Sequence, residues 1–126
     1  MIPKFRAWDK NTNDMVDVKT IDLEKDGSIG CIVDYNGINL DVSECILMQS
    51  TGLKDKNGVE IFEGDVLYYI PFESHINDSI VVFEKGSFCK KMLRNGKLTS
   101  VKFIDSEEYE VIGNIHENPE LLEGTK

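Results

Sequence analysis

Turn chemistry recurs along this chain too often to leave room for crossover helices. Asn36-Gly37, Asn57-Gly58 and Asn95-Gly96 are each the dipeptide favoured by a type I′ hairpin, in which both central residues take positive φ. Asp26-Gly27 and Lys85-Gly86 add two further turns. Between them lie short β-branched and aromatic runs. Residues 65–70, 79–84, 87–93, 98–104 and 109–115 read as strands; Ile80-Val81-Val82-Phe83 has this composition, and Val101-Lys102-Phe103-Ile104 continues it. In the last run Tyr109, Val111 and Ile115 share a face. Helix is confined to two places. Ser43 to Met48 suits a helical turn or a strand. Asn118-Pro119-Glu120-Leu121-Leu122-Glu123-Gly124 reads as a short helix, with Asn118 as N-cap, Pro119 at the first helical position and Gly124 after the end. The fold class is mainly β.

At 126 residues with 40% hydrophobic content, the chain can bury an ordinary core. That excludes a disordered tail, a collagen-like fibre and a disulfide miniprotein. Glu63-Gly64-Asp65-Val66-Leu67 is how many SH3-like barrels begin: the glycine permits a sharp bend and the aspartate can accept a turn N–H. The expected architecture is a small SH3-like barrel in the C-terminal half (residues 51–126) with one short C-terminal helix. An N-terminal β-rich subdomain (residues 1–50) packs against it as part of one compact unit. No Gly-, Pro- or Ser-rich linker separates the two.

The longest apolar run, Val66 to Phe72, is far short of the ~20 residues a membrane helix needs. The opening residues show no secretory leader. Cysteines 31, 45 and 89 follow neither a zinc pattern nor even disulfide pairing. The expectation is a cytoplasmic chain without membrane contact. Net charge is −9 and is unevenly spread. Residues 84–102 hold six bases against Glu84, a net of +5, between acidic flanks of −8 and −6. A solvated hairpin is the simpler account of that segment. The alternative makes Lys85, Lys90, Lys91, Arg94 and Lys97 a nucleic-acid contact, against the repulsion of an acidic protein.

No catalytic constellation emerges, and the chain is not expected to be an enzyme or to hold a cofactor or metal. Asp9, Asn11, Asn13 and Asp17 mimic part of a calcium loop, but Asp14 stands where glycine is needed and Thr20 where a bidentate glutamate belongs. His75 and His116 have no second ligand at suitable spacing beyond carboxylates. Cys89 has basic neighbours that can lower a thiol pKa, although a buried strand cysteine is the plainer reading. Asp105, Glu107, Glu108 and Glu110 read as a solvated acidic loop. A strand from Phe5 places Phe5 and Ala7 on one face and Arg6 and Trp8 on the other, with Trp8 a core or interface anchor. Thr51 to Gly58 lacks phosphate-loop spacing and reads as a hairpin tip whose Lys54, Asp55, Lys56 and Asn57 can form a contact surface.

Three stretches carry a resemblance. Lys4-Phe5-Arg6-Ala7-Trp8-Asp9, then Leu47-Met48-Gln49-Ser50-Thr51-Gly52-Leu53-Lys54-Asp55-Lys56-Asn57-Gly58 with Glu60-Ile61-Phe62-Glu63-Gly64-Asp65-Val66, then Val111-Ile112-Gly113-Asn114-Ile115-His116-Glu117-Asn118-Pro119-Glu120-Leu121, resemble the YopX family of phage and prophage proteins. His116 departs from the family's more usual aromatic. The resemblance implies a β-rich, barrel-like protein made inside an infected or lysogenic bacterium, and it brings no catalytic assignment. It points to a non-enzymatic module that binds a host or phage protein, with Trp8 and the 54–57 tip as anchors and self-association compatible with barrel edges. An acidic decoy of a host defence protein is a variant of that idea. On this reading, alanine at Lys54, Asp55 and Lys56 abolishes partner capture and leaves the melting temperature unchanged.

Overall fold

The computed structural model describes residues 4–72 and 74–123. The chain divides into two compact units, Met1–Gln49 and Ser50–Lys126. Strands dominate both, paired antiparallel, with one short helix.

In the first unit, β1 (Phe5–Asp9), β2 (Asp14–Leu23), β3 (Ile29–Asp34), β4 (Asn39–Asp41) and the start of β5 (Cys45–Lys54) pair in the order β4-β3-β2-β1-β5. Ala7 lies between Val16 and Leu47 on the neighbouring strands. Together with Ile32, Leu40 and Cys45 it forms the buried core. Trp8 points to the opposite face, in register with Met15 and Ile46. The Asp9–Asn13 segment is the β1–β2 turn: Asp9 Oδ1 accepts the Asn11 N–H at 2.9 Å, and Asn13 takes φ 58°. Residues 42–44 form a 3₁₀ turn capped by Asp41, and β5 starts directly after it, so the 43–48 stretch is both turn and strand.

The second unit holds β6 (Glu60–Phe62), β7 (Asp65–Tyr69), β8 (Ser79–Glu84), β9 (Ser87–Met92), β10 (Leu98–Ser100), β11 (Tyr109–Asn114) and the helix α1 (Glu120–Glu123). Residues 50–54 of β5 pair with β6, and the remaining strands run β10-β9-β8-β7-β11. Ile61, Leu67, Val81 and Tyr109 are the buried core, with Leu53, Phe88 and Ile104 packed against them. The described ladder is open, with β10 at one end and β11 at the other. The Gly64-Asp65 turn works as its residue types dictate: Gly64 takes φ 90°, and Asp65 Oδ2 accepts the Phe62 N–H at 2.8 Å.

Two local expectations need correction. The Asn-Gly pairs are not type I′ turns, since only their glycines take positive φ, at 81°, 78° and 71°. At two of them an aspartate two residues before the asparagine decides the geometry. Asp34 Oδ1 accepts the N–H groups of Asn36 and Ile38, and Asp55 Oδ1 those of Asn57 and Val59, all within 2.8–2.9 Å. That holds a type I turn ending on a left-handed glycine, which is the three-residue hairpin loop. The two-residue I′ turn falls instead at Lys85-Gly86, with φ 54° and 80°. The strand expected over 98–104 ends at Ser100, and residues 101–103 form a 3₁₀ turn. Val101 is apolar because it is buried, at 5% exposure, and not because it is extended. In α1, Leu121 and Leu122 donate back to the carbonyls of Asn118 and Pro119; Gly124 lies outside the described residues.

Candidate functional site

The hairpin tip at 55–58 is committed internally. Asp55 is 4% exposed and its second oxygen accepts the Val111 N–H at 2.9 Å. The Lys56 N–H donates to the Tyr109 carbonyl at 3.0 Å, and Asn57 Nδ2 to Glu110 Oε1 at 3.4 Å. The tip therefore clamps β11, and Asp55 is a buried pin instead of the contact residue expected from sequence. Lys54, Lys56 and Asn57 are exposed. Trp8 is half-buried in the first unit, and the 54–57 tip belongs to the second.

The basic residues do not form one stripe. Lys85 sits at the β8–β9 turn, whereas Arg94 and Lys97 lie beyond the other end of β9. A six-residue strand spans roughly 20 Å. Lys90 and Lys91 are successive strand residues and point to opposite faces. Lys90 Nζ donates to Tyr109 Oη at 2.7 Å; at 4.9 Å from the ring centroid it lies beyond the oxygen, so the contact is a hydrogen bond more than a cation–π stack. This pair borders a cavity of about 370 Å³ that also meets Asn77, Asp105 and Glu108. One ammonium and two carboxylates give that cavity no single charge preference.

The more coherent surface is apolar. A groove of about 350 Å³ is lined by Leu53, Phe83, Phe88, Val101 and Lys102 among others. The two-residue Lys85-Gly86 turn makes Glu84 and Ser87 a hydrogen-bonded pair, so the next pair, Phe83 and Phe88, is the close non-hydrogen-bonded kind. Their rings meet edge to face, 5.0 Å apart. Phe83 is 49% exposed. Periodicity alone reads Phe83, Phe88 and Val101 as core, which is why sequence reasoning passed over them; Val101 is indeed buried, whereas Phe83 lies half-exposed at the turn end of the β8–β9 hairpin.

A histidine–carboxylate pair is the other arrangement with chemical content, and nothing in the sequence pattern singles it out. His75 Nδ1 lies 2.8 Å from Asp78 Oδ2, with the Tyr68 ring centroid 4.9 Å from the imidazole. Asp78 is buried while His75 is exposed. The pair fixes the imidazole with Nε2 free to face solvent, as a general base needs. No described hydroxyl or thiol is bonded to it, so the nucleophile is missing among the described residues. Burial pushes the Asp78 carboxyl above its ordinary value near 3.8, and the His75 hydrogen bond and charge oppose that. Folding thus disfavours ionised Asp78. The cost is full above the raised pKa and fades as pH falls through it towards 3.8. Asp78→Asn, which never ionises, is expected to melt above wild type at pH 7 and level with it near pH 4. Thermal melts across that range check this, and a variant that melts lower at pH 7 contradicts it.

His116 is a turn residue whose N–H donates to Asn114 Oδ1 at 3.0 Å. All three cysteines are free thiols. Burial raises the pKa of Cys31 and of Cys45. Cys89 is half-buried in β9 and reaches Ser87. Among the described residues no group of three His, Cys, Asp or Glu is placed to hold a metal ion, and no helix is long and apolar enough to cross a membrane.

The family model described as YopX protein matches residues 4–123. The crystal structure of protein EF1440 from Enterococcus faecalis is similar over 97% of this chain and 99% of its own, with TM-score 0.75 and 34% identity. That of yopX from Bacillus subtilis is similar over 94% and 96% respectively, with TM-score 0.62 and 21% identity, which is a likeness of fold. No curated protein matches this chain.

Proposed function

This chain belongs to the YopX family, and on that footing we propose that it is a non-enzymatic protein-interaction module of a phage or prophage. It works in the cytoplasm of the bacterial host, where it binds a host or phage protein. The observation that carries this reading is the groove of the second unit, where a half-exposed phenylalanine lies against Phe88 in a lining shared with Leu53 and Val101. Aromatic residues in partly formed pockets are where interface energy concentrates. The resemblance-bearing residues Asp55, Asp65 and Asn114, by contrast, spend their polar atoms on the fold.

The test is a tagged pull-down from host lysate, with nuclease, comparing wild type and Phe83→Ser. A stoichiometric protein is expected in the wild-type lane and should fall to about a tenth or less in the variant, the loss typical of a central aromatic anchor. The melting temperature should fall by about 4–8 °C, the cost of the Phe88 ring contact and of half a buried side chain, which leaves the variant folded at the temperature of the pull-down. Equal capture by the variant overturns the groove as the binding surface. Capture lost on nuclease treatment shifts the reading to nucleic acid. A second copy of the chain in place of a partner identifies self-association.

A further inference from the structure

We infer that the groove receives an extended acidic segment of its partner, which adds as a strand to the open edge of β10; this rests on the interaction reading above and deepens it. Three observations converge on it. The first is the direction of the β10 backbone. The Met92 N–H donates to the Lys97 carbonyl at 2.9 Å, so residues 92 and 97 are a hydrogen-bonded pair. Along an antiparallel ladder such pairs alternate with non-bonded ones. The register Leu98↔Lys91, Thr99↔Lys90, Ser100↔Cys89 therefore turns Thr99 towards β9 and leaves the N–H and C=O of Leu98 and Ser100 facing away from it. No other described strand pairs with that edge. An open edge of this kind is a template for main-chain pairing.

The second observation is the groove itself, which opens where β10 gives way to the 101–103 turn. Val101 and Phe88, which line it, are the residues that follow the last pair of the β9–β10 ladder, Ser100↔Cys89. A strand laid along Leu98–Ser100 runs into it, with room for apolar side chains against Phe83 and Leu53. The third is charge. Within an acidic protein, the bases nearest β10 in sequence and register are Lys91, Lys97 and Lys102. Lys97 and Lys102 bracket β10, and Lys91 stands opposite Leu98. Acidic residues alternating with apolar ones match both features at once, since successive strand residues face opposite ways.

Ser100 offers a clean test. Its φ of −62° is already that of proline, and the strand residue before it satisfies the preference of a pre-proline position. Its Oγ is buried without a described partner, so no hydrogen bond is lost with the side chain. Ser100→Pro thus removes only the outward N–H. The probe is a capped hexapeptide of alternating glutamate and valine, followed by backbone amide shifts and hydrogen exchange. The expected result is slowed exchange at Leu98 and Ser100, with Thr99 unchanged because its N–H is already paired. Binding should weaken at least tenfold in Ser100→Pro, and also for a peptide N-methylated on alternate residues, which leaves the protein untouched. A lysine–valine peptide should not bind. Equal binding of the N-methylated peptide, or shifts confined to other strands, overturns strand addition. If capture from lysate still depends on Phe83 in that case, the interaction reading stands and only the strand mode fails. If Phe83→Ser captures as well as wild type, the interaction reading fails at this groove.

Discussion

Asp55→Ala is expected to destabilise the protein by about 3–4 kcal/mol, a fall of roughly 10 °C in melting temperature. The carboxylate is 4% exposed and serves three backbone N–H groups: Asn57 and Val59 through one oxygen, Val111 through the other. Alanine leaves the turn without its acceptor and strands the Val111 N–H against the clamp. Two comparisons isolate the second effect. Asp34 builds the same turn, but its described bonds stay within that turn, so Asp34→Ala should cost only about 1–2 kcal/mol. Asp55→Asn keeps one oxygen for the turn and sets an NH₂ against Val111, which should give an intermediate loss. Chemical denaturation of the three variants reads the differences directly. Equal losses for Asp34→Ala and Asp55→Ala would mean that the clamp on β11 contributes nothing.

Gly113→Val should cost roughly 2–4 kcal/mol, the usual range for forcing bulk into a filled site. A Cβ at 113 stands 2.5 Å from Asn118 Oδ1 and 3.0 Å from Leu121 Cδ1. Asn118 has little freedom to retreat. Its Oδ1 accepts the Asn114 N–H and its own N–H donates to the Asn114 carbonyl. Asn114 in turn accepts from His116 and Glu117. The closing stretch 113–121 is therefore one interlocked turn, and the glycine is its point of closest approach. Gly27→Ala, where a new Cβ meets nothing within 4 Å, provides the contrast and should cost about 1 kcal/mol for its left-handed φ alone. A Gly113→Val loss no larger than that of Gly27→Ala would show that the C-terminal turn yields freely.

What was legible in the chain was local. Turn dipeptides located the hairpins, and Gly64-Asp65 carried its own hydrogen bond in its residue types. The turn class was misread at Asn36-Gly37 and Asn57-Gly58 because dipeptide preference omits the aspartate that outcompetes it. The end of β10 was misread because β-branched composition marks burial as readily as extension, and Val101 needs only the first. The 54–57 tip looked like a free surface because its partner, β11, lies more than fifty residues away in sequence. Phe83 was hidden for the converse reason: its strand pattern is that of a core residue, yet in the finished sheet its end of β8 runs past the pairing with β7 and is half-exposed.

The three Asn-Gly turns also govern how the protein ages. In an unfolded chain these dipeptides are the readiest to deamidate, because the glycine nitrogen can attack the asparagine side chain and close a succinimide. Here each of those nitrogens is already engaged: Gly37 with the Asp34 carbonyl at 3.1 Å, Gly58 with that of Asp55 at 3.0 Å, and Gly96 with that of Met92 at 2.8 Å. The hydrogen bond that closes each turn also holds its glycine away from the cyclisation path. Chemical damage at asparagine thus waits on the opening of the hairpin, and the lifetime of these side chains becomes a property of the fold.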